Sequence, residues 1–145
     1  MKQVILLVED NPDDEMLTKR AFKKNNILNE IVVARDGQEA VDYLLYQGNF
    51  SAREKGINPQ VILLDINLPK LDGLEVLRKI RENKETSLVP VVMMTTSDEQ
   101  EDLITSYELG ANSYIRKPID FENFIEAVKQ LGMYWLVLNE QPKLN

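Results

Sequence analysis

The 145-residue sequence contains no cysteine and no histidine. Without cysteine there can be no disulfide, thiolate metal site or sulfur nucleophile, which accords with a reducing compartment. Without histidine the chain has no imidazole base or ligand and no phosphohistidine of its own, so any phosphoryl group it handles must come from an outside donor. Basic charge is in deficit as well. The 17 Lys and Arg residues against 24 Asp and Glu leave a net charge of -7, which argues against a nucleic-acid backbone as a direct partner. Long apolar runs are missing too: the opening Val4–Val8 stops at Glu9-Asp10, too short for a leader or a membrane span. The expected setting is therefore the cytoplasm. The length suits one domain, residues 1–145 with a polar tail at 139–145, and is enough to bury a core of useful size.

What is present is organised around Val61-Ile62-Leu63-Leu64-Asp65, four apolar residues closed by a carboxylate. An apolar run without polar alternation reads as a strand buried on both faces, the parallel-sheet situation. Similar strands are expected at Val4–Val8, Glu30–Ala34, Val91–Met94 and Ser113–Arg116. Between and after them, helical spacing of apolar residues predicts helices over Pro12–Lys24, Asp36–Tyr46, Asp72–Asn83, Asp98–Leu109 and Asp120–Leu138. Residues 49–60, with Gly56 and Pro59, are expected to form a loop of unusual length. Five strands alternating with five helices imply an α/β, doubly wound parallel sheet with right-handed crossovers.

That order sets four chemical features at strand carboxyl ends: Glu9-Asp10, Asp65, Thr95-Thr96-Ser97 and Lys117-Pro118. In a parallel sheet those ends share one edge, the edge where open α/β sheets bind ligands. Each feature also has a plain local explanation. Asp10 or Asn11 can cap a helix with Pro12 at its first position, Thr96-Ser97 with Glu99 and Gln100 can form a capping box, and Lys117 can be a surface residue before a turn proline. Local explanations do not account for three acids, a hydroxyl and a lysine meeting at one edge. Phosphoryl transfer to a carboxylate does need such a set, because a cation must lie between two negative groups and donors must hold the transferred oxygens. Crowded carboxylates suit a hard divalent ion such as Mg²⁺, with Asp10 and Asp65 as direct ligands and Glu9 acting through water or as a further carboxylate.

Val8-Glu9-Asp10-Asn11-Pro12, Leu63–Pro69 with Asp72-Gly73, Met94-Thr95-Thr96-Ser97 and Gly110–Pro118 together resemble the receiver domain of two-component response regulators, in register over about residues 3–138. The resemblance implies a flavodoxin-like fold of sheet order 2-1-3-4-5. It further implies Asp65 as phosphoacceptor, Glu9 and Asp10 as the acidic pair, and Asn67 as a Mg²⁺ ligand through its backbone carbonyl. Thr95 becomes the switch hydroxyl, Lys117 the phosphate-binding lysine and Tyr114 the rotameric aromatic. The sequence departs from the commoner pattern in Glu9 where many members have Asp, in Thr96 where a smaller residue is commoner, and in the long loop 49–60. With the ending Leu131–Leu136, these features resemble single-domain regulators paired with phytochrome-type histidine kinases.

The expected function is a stand-alone response regulator: a partner kinase's phosphohistidine donates to Asp65, and output is by protein contact. Such a protein is a phosphoacceptor with at most self-dephosphorylation, and not an enzyme in the ordinary sense. Two other classes of protein share part of this sequence pattern. A small aspartate-nucleophile phosphatase needs an acid two residues after its nucleophile, where this chain has Asn67; a phosphorylation-independent adaptor has no use for the acidic set. Two structural expectations complete the reading. The Lys117-Pro118 bond is expected to be cis. The chain is expected to pair as a homodimer through its carboxyl-terminal helix at Tyr134, Trp135 and Leu138, because residues 133–138 are apolar on nearly every side. The competing expectation is that this extra face packs on loop 49–60 through Phe50.

Overall fold

A computed structural model of the chain describes residues 3–117 and 120–142. Its five strands, β1 (Val4–Val8), β2 (Glu30–Ala34), β3 (Val61–Leu64), β4 (Val91–Thr95) and β5 (Ser113–Arg116), form one parallel sheet in the order β2-β1-β3-β4-β5. The flavodoxin-like order and the five-helix arrangement are those expected. Helices α1 (Pro12–Lys24), α2 (Gly37–Leu44), α3 (Gly73–Glu82), α4 (Gln100–Glu108) and α5 (Phe121–Leu131) connect and cover the strands.

The unbroken apolar character of β1 and β3 has a direct cause in the two cores. Along β1, Leu6 and Val8 join a core with α2 and α3, while Ile5 and Leu7 join another with α1 and α5. The same division splits β3 into Ile62 and Leu64 on one side and Val61 and Leu63 on the other. Successive strand residues point to opposite faces, so a sheet covered twice requires apolar residues at every position.

Four helices, α2 to α5, start one or two residues later than the apolar pattern suggests, because the polar residues ahead of them stay outside as caps or cap neighbours. Asp36 and Asp72 keep extended backbone and accept the amides of Glu39 and Glu75 through their carboxylates. Ahead of α4 the expected capping box does not form. Glu99 is the cap residue without a side-chain bond, and the Ser97 hydroxyl donates instead to Asp102 at 2.6 Å. The last helix does not run uniformly to Leu138. It is α-helical to Leu131 and then widens into a π-helical segment, Gly132–Leu138.

The long loop is built rather than slack. A short 3₁₀ turn at Gly48–Phe50 brings Phe50 edge-on to Tyr43 at 5.2 Å, within the α2/α3 core. Arg53 then lies 4.0 Å over the Tyr43 ring and 4.2 Å over Tyr46, and donates to the carbonyls of Tyr43 and Ile57. Phe50 is thereby committed to its own layer and does not cover the carboxyl-terminal segment. Trp135 and Leu136 of that segment pack against the α1/α5 core, while Met133, Tyr134, Val137 and Leu138 are exposed. Pro118 lies outside the described residues, and with it the expectation of a cis bond.

Candidate functional site

Glu9, Asp65 and Lys117 are the first residues past β1, β3 and β5, Thr95 is the last of β4, and the sheet ladder continues past the strands through Glu9, Asp65 and Lys117. The Glu9 amide donates to the Ala34 carbonyl, the Asp65 amide to Val8 and the Lys117 amide to Thr95. Backbone pairing therefore fixes three residues distant in sequence at the carboxyl edge of the sheet. Close packing fixes Asp65 further. The Gly73 amide donates to Ile66 at 2.7 Å, and a Cβ added at Gly73 would lie 1.9 Å from the Asp65 carbonyl oxygen. Only glycine lets the start of α3 approach the Asp65 backbone so closely.

At this edge Glu9, Asp10 and Asp65 present carboxylate oxygens all within 4.8 Å of one another. Glu9 and Asp65 are buried and Asp10 is exposed. Asn11, and not Asp10, takes the capping role on α1, accepting the amides of Asp13 and Asp14, so Asp10 is left to the cluster. The Lys117 ammonium reaches Glu9 at 2.6 Å, Asp14 at 3.0 Å and Asp65 at 3.5 Å. Burial alone would lower the lysine's pKa, but Glu9, Asp65 and Asp14 outweigh it and hold the group above the ordinary lysine value. For Glu9 the balance is reversed. Burial pushes its carboxyl up and the charge of Asp65 adds to that, with Lys117 only partly opposing.

Thr95, fully buried at the end of β4, accepts the Ser97 amide on its hydroxyl at 3.2 Å. Tyr114, on the adjacent β5, donates its hydroxyl to the Ser97 carbonyl at 3.4 Å, so both residues engage the same short loop. Asn67 is exposed, and its amide donates to Asp65 Oδ1 at 3.2 Å. Of the residues singled out in the sequence, Glu9, Asp10, Asp65 and Lys117 thus meet directly, and Thr95, Asn67 and Tyr114 border them. Tyr134, Trp135 and Leu138 lie on the terminal segment and take no part in this cluster. One participant was not foreseen. Asp14, in the first turn of α1, shares Lys117 with the acidic residues; its only sequence signal was the acidic run after Pro12, which is ordinary at a helix start.

The donor set fits a hard divalent cation. It consists of oxygens alone, it gathers three carboxylates, and one ammonium cannot neutralise them all.

A doubly wound α/β domain carrying an acidic cluster and a lysine at the carboxyl edge of its sheet defines a class of signalling domain. The chain belongs to the response regulator receiver domain family, whose model matches residues 5–129. It is similar to response regulator Rcp1 of Synechocystis sp., at 40% identity over 134 residues covering 92% of this chain and 89% of that protein. The Mn²⁺-bound structure of Rcp1 superposes with a TM-score of 0.86 at 38% identity, over 97% of this chain and 99% of the other. The phosphorylated cyanobacterial phytochrome response regulator RcpA gives a TM-score of 0.88 at 37% identity, over 98% of this chain and 99% of the other. The bacteriophytochrome response regulator RtBRR is 50% identical with a TM-score of 0.80, over 98% of this chain and 85% of that one. The protein is accordingly a receiver-type response regulator of phosphorelay signalling, near the phytochrome-associated members. No helix among the described residues is long and apolar enough to cross a membrane.

Proposed function

We propose that the protein accepts a phosphoryl group on Asp65 from the phosphohistidine of a phytochrome-type histidine kinase. The observation that carries this reading is a buried Asp65 carboxylate facing Lys117 at 3.5 Å inside the acidic cluster. An Asp65 oxygen attacks phosphorus, the P–N bond breaks with its electron pair returning to the kinase imidazole, and an acyl phosphate forms on Asp65. Lys117 and the Thr95 hydroxyl bind the oxygens of the transferred group as they gain charge. Glu9, Asp10, Asp65 and the Asn67 carbonyl would hold Mg²⁺, which would supply positive charge to offset that of the nucleophile and the phosphoryl group. Turning towards the phosphoryl group, Thr95 releases the Ser97 amide that it now accepts at 3.2 Å. The same loop holds Tyr114 through the Ser97 carbonyl, so the change is passed to the surface around β4, α4 and β5.

A cytoplasmic kinase is the donor and a protein surface the recipient of the signal; a net charge of -7 suits both better than it suits nucleic acid. The terminal segment, with Tyr134 and Leu138 exposed and Trp135 at their side, serves as the contact for a second copy. The central assignment is tested by incubating the protein with a small acyl phosphate and Mg²⁺ and following mass. One phosphoryl group is expected on the native protein and none on Asp65→Asn, while Asp10→Ala loses Mg²⁺ binding and labelling together. Undiminished labelling of Asp65→Asn would sink the assignment.

A further inference from the structure

Lys117 is held from three directions, and its partners are not equivalent. An ammonium has three N–H donors, and here Glu9 at 2.6 Å, Asp14 at 3.0 Å and Asp65 at 3.5 Å account for all of them. Glu9 and Asp65 belong to the carboxylates gathered within 4.8 Å of one another; Asp14 does not. Asp14 is also anchored independently of that cluster. Its amide donates to the Asn11 side chain at 3.1 Å, and its carbonyl accepts the Thr18 hydroxyl at 2.8 Å, which fixes it within the first turn of α1.

We propose that Asp14 is a positioning residue for the phosphoryl-binding lysine, holding Lys117 so that one N–H stays aimed at Asp65. The proposal rests on the assignment of Asp65 as phosphoacceptor. When Glu9 and Asp65 turn to a divalent cation, they loosen their hold on the ammonium, and Asp14 is the remaining carboxylate that keeps it in place. A long flexible lysine otherwise spreads over many rotamers, and the cost of ordering it falls on the transfer step. Asp14 thereby ties the start of α1 to the end of β5 across 103 residues of sequence.

A purely structural role for Asp14 would move the labelling rate, the Mg²⁺ affinity and the Lys117 signal together. Asp14→Asn is nearly isosteric and keeps both backbone bonds of the residue. Labelling of Asp14→Asn by a small acyl phosphate is expected to be about tenfold slower, the order set by loss of one charge-assisted hydrogen bond. Its affinity for Mg²⁺ alone, followed by titration, stays within about twofold because Asp14 is not a ligand. The Lys117 ammonium signal, sharp in ¹⁵N NMR of the Mg²⁺-loaded native protein, broadens in the variant, and Asp14→Glu recovers part of the rate. Wild-type labelling rate together with an unchanged Lys117 signal overturns the positioning role, and so does an Mg²⁺ affinity that falls as far as in Asp10→Ala. A native protein that takes no phosphoryl group on Asp65 overturns the underlying assignment as well, whereas the NMR comparison judges the Asp14–Lys117 contact without any phosphorylation.

Discussion

Glu9 shows at the scale of one residue how function opposes stability in this domain. Its carboxyl is buried beside Asp65, and burial first, then the neighbouring charge, raise its pKa above the ordinary 4.5 despite Lys117. A group whose folded pKa is raised binds its proton more tightly when folded, so its contribution is fully present below 4.5 and is lost as pH rises through the raised value. Glu15 works in the opposite sense. Burial pushes its carboxyl up, but Lys19 and Arg35 together outweigh that and lower its pKa, so its contribution is present above 4.5 and is lost as pH falls below it. Metal-free protein is therefore expected to lose stability as pH rises from 4.5 through the Glu9 transition, and Glu9→Gln to flatten that slope while leaving the acid limb intact. Urea denaturation in EDTA across that range checks it; an equal slope in Glu9→Gln would refute it. Saturating Mg²⁺ should offset the loss in the native protein, by about 2.7 kcal/mol at a hundredfold excess over Kd.

Elements were legible in the sequence to the extent that local signals and tertiary demands agree. β1, β2, β5 and α1 have the bounds that their residues suggest, because short runs set off by polar or turn residues and an Asn-Pro helix start are local signals. The π-helical turn at Gly132–Leu138 was not legible, since residues 133–138 are apolar on every side and an all-apolar stretch carries no period to read. Nor was Asp14, whose acidic neighbours have a sufficient local explanation in the helix dipole. Asp65, Glu9, Asp10 and Lys117 were legible because topology alone sends strand ends to one edge. Gly73 belongs to the same layer of argument, as the contact between an element's start and a functional backbone. Gly73→Ala puts a Cβ 1.9 Å from the Asp65 carbonyl oxygen and 2.7 Å from Ile66 Cα, both backbone atoms that cannot swing aside. A loss of ~3 kcal/mol or more in chemical denaturation is expected from such overpacking, along with slower labelling of Asp65. Gly56→Ala is the control: its Cβ meets nothing within 4 Å, and only its positive φ of 86° costs it, about 1 kcal/mol. Equal losses in the two variants would rule out the close approach as the reason for Gly73.

At the scale of the whole molecule, the terminal segment presents an apolar surface that its own domain covers only in part. Trp135 and Leu136 are turned to the α1/α5 core, so part of the apolar surface at 132–138 is covered by the domain itself. Gln141 ties the end of the described chain to the Gln60 carbonyl at 2.7 Å, which holds the segment across the α1/α5 side of the sheet. What stays in solvent is a patch of Met133, Tyr134, Val137 and Leu138, with fractional exposures of 50, 51, 70 and 63%. Apolar residues placed so densely on an ordered segment mark a contact surface, and Tyr and Met are favoured in such surfaces. A second copy is the economical occupant, since a two-fold axis through the segment sets each patch against its mate. Sedimentation at micromolar concentration is expected to show a dimer in the free or the phosphorylated state, and Tyr134→Glu to dissociate it with little loss of stability. Trp135→Glu serves a different purpose: because that side chain packs on the core, its replacement should lower the melting temperature whether or not the chain pairs. A monomer in both states of the native protein refutes the dimer, and a Tyr134→Glu protein that still sediments as the native one moves the contact away from this segment.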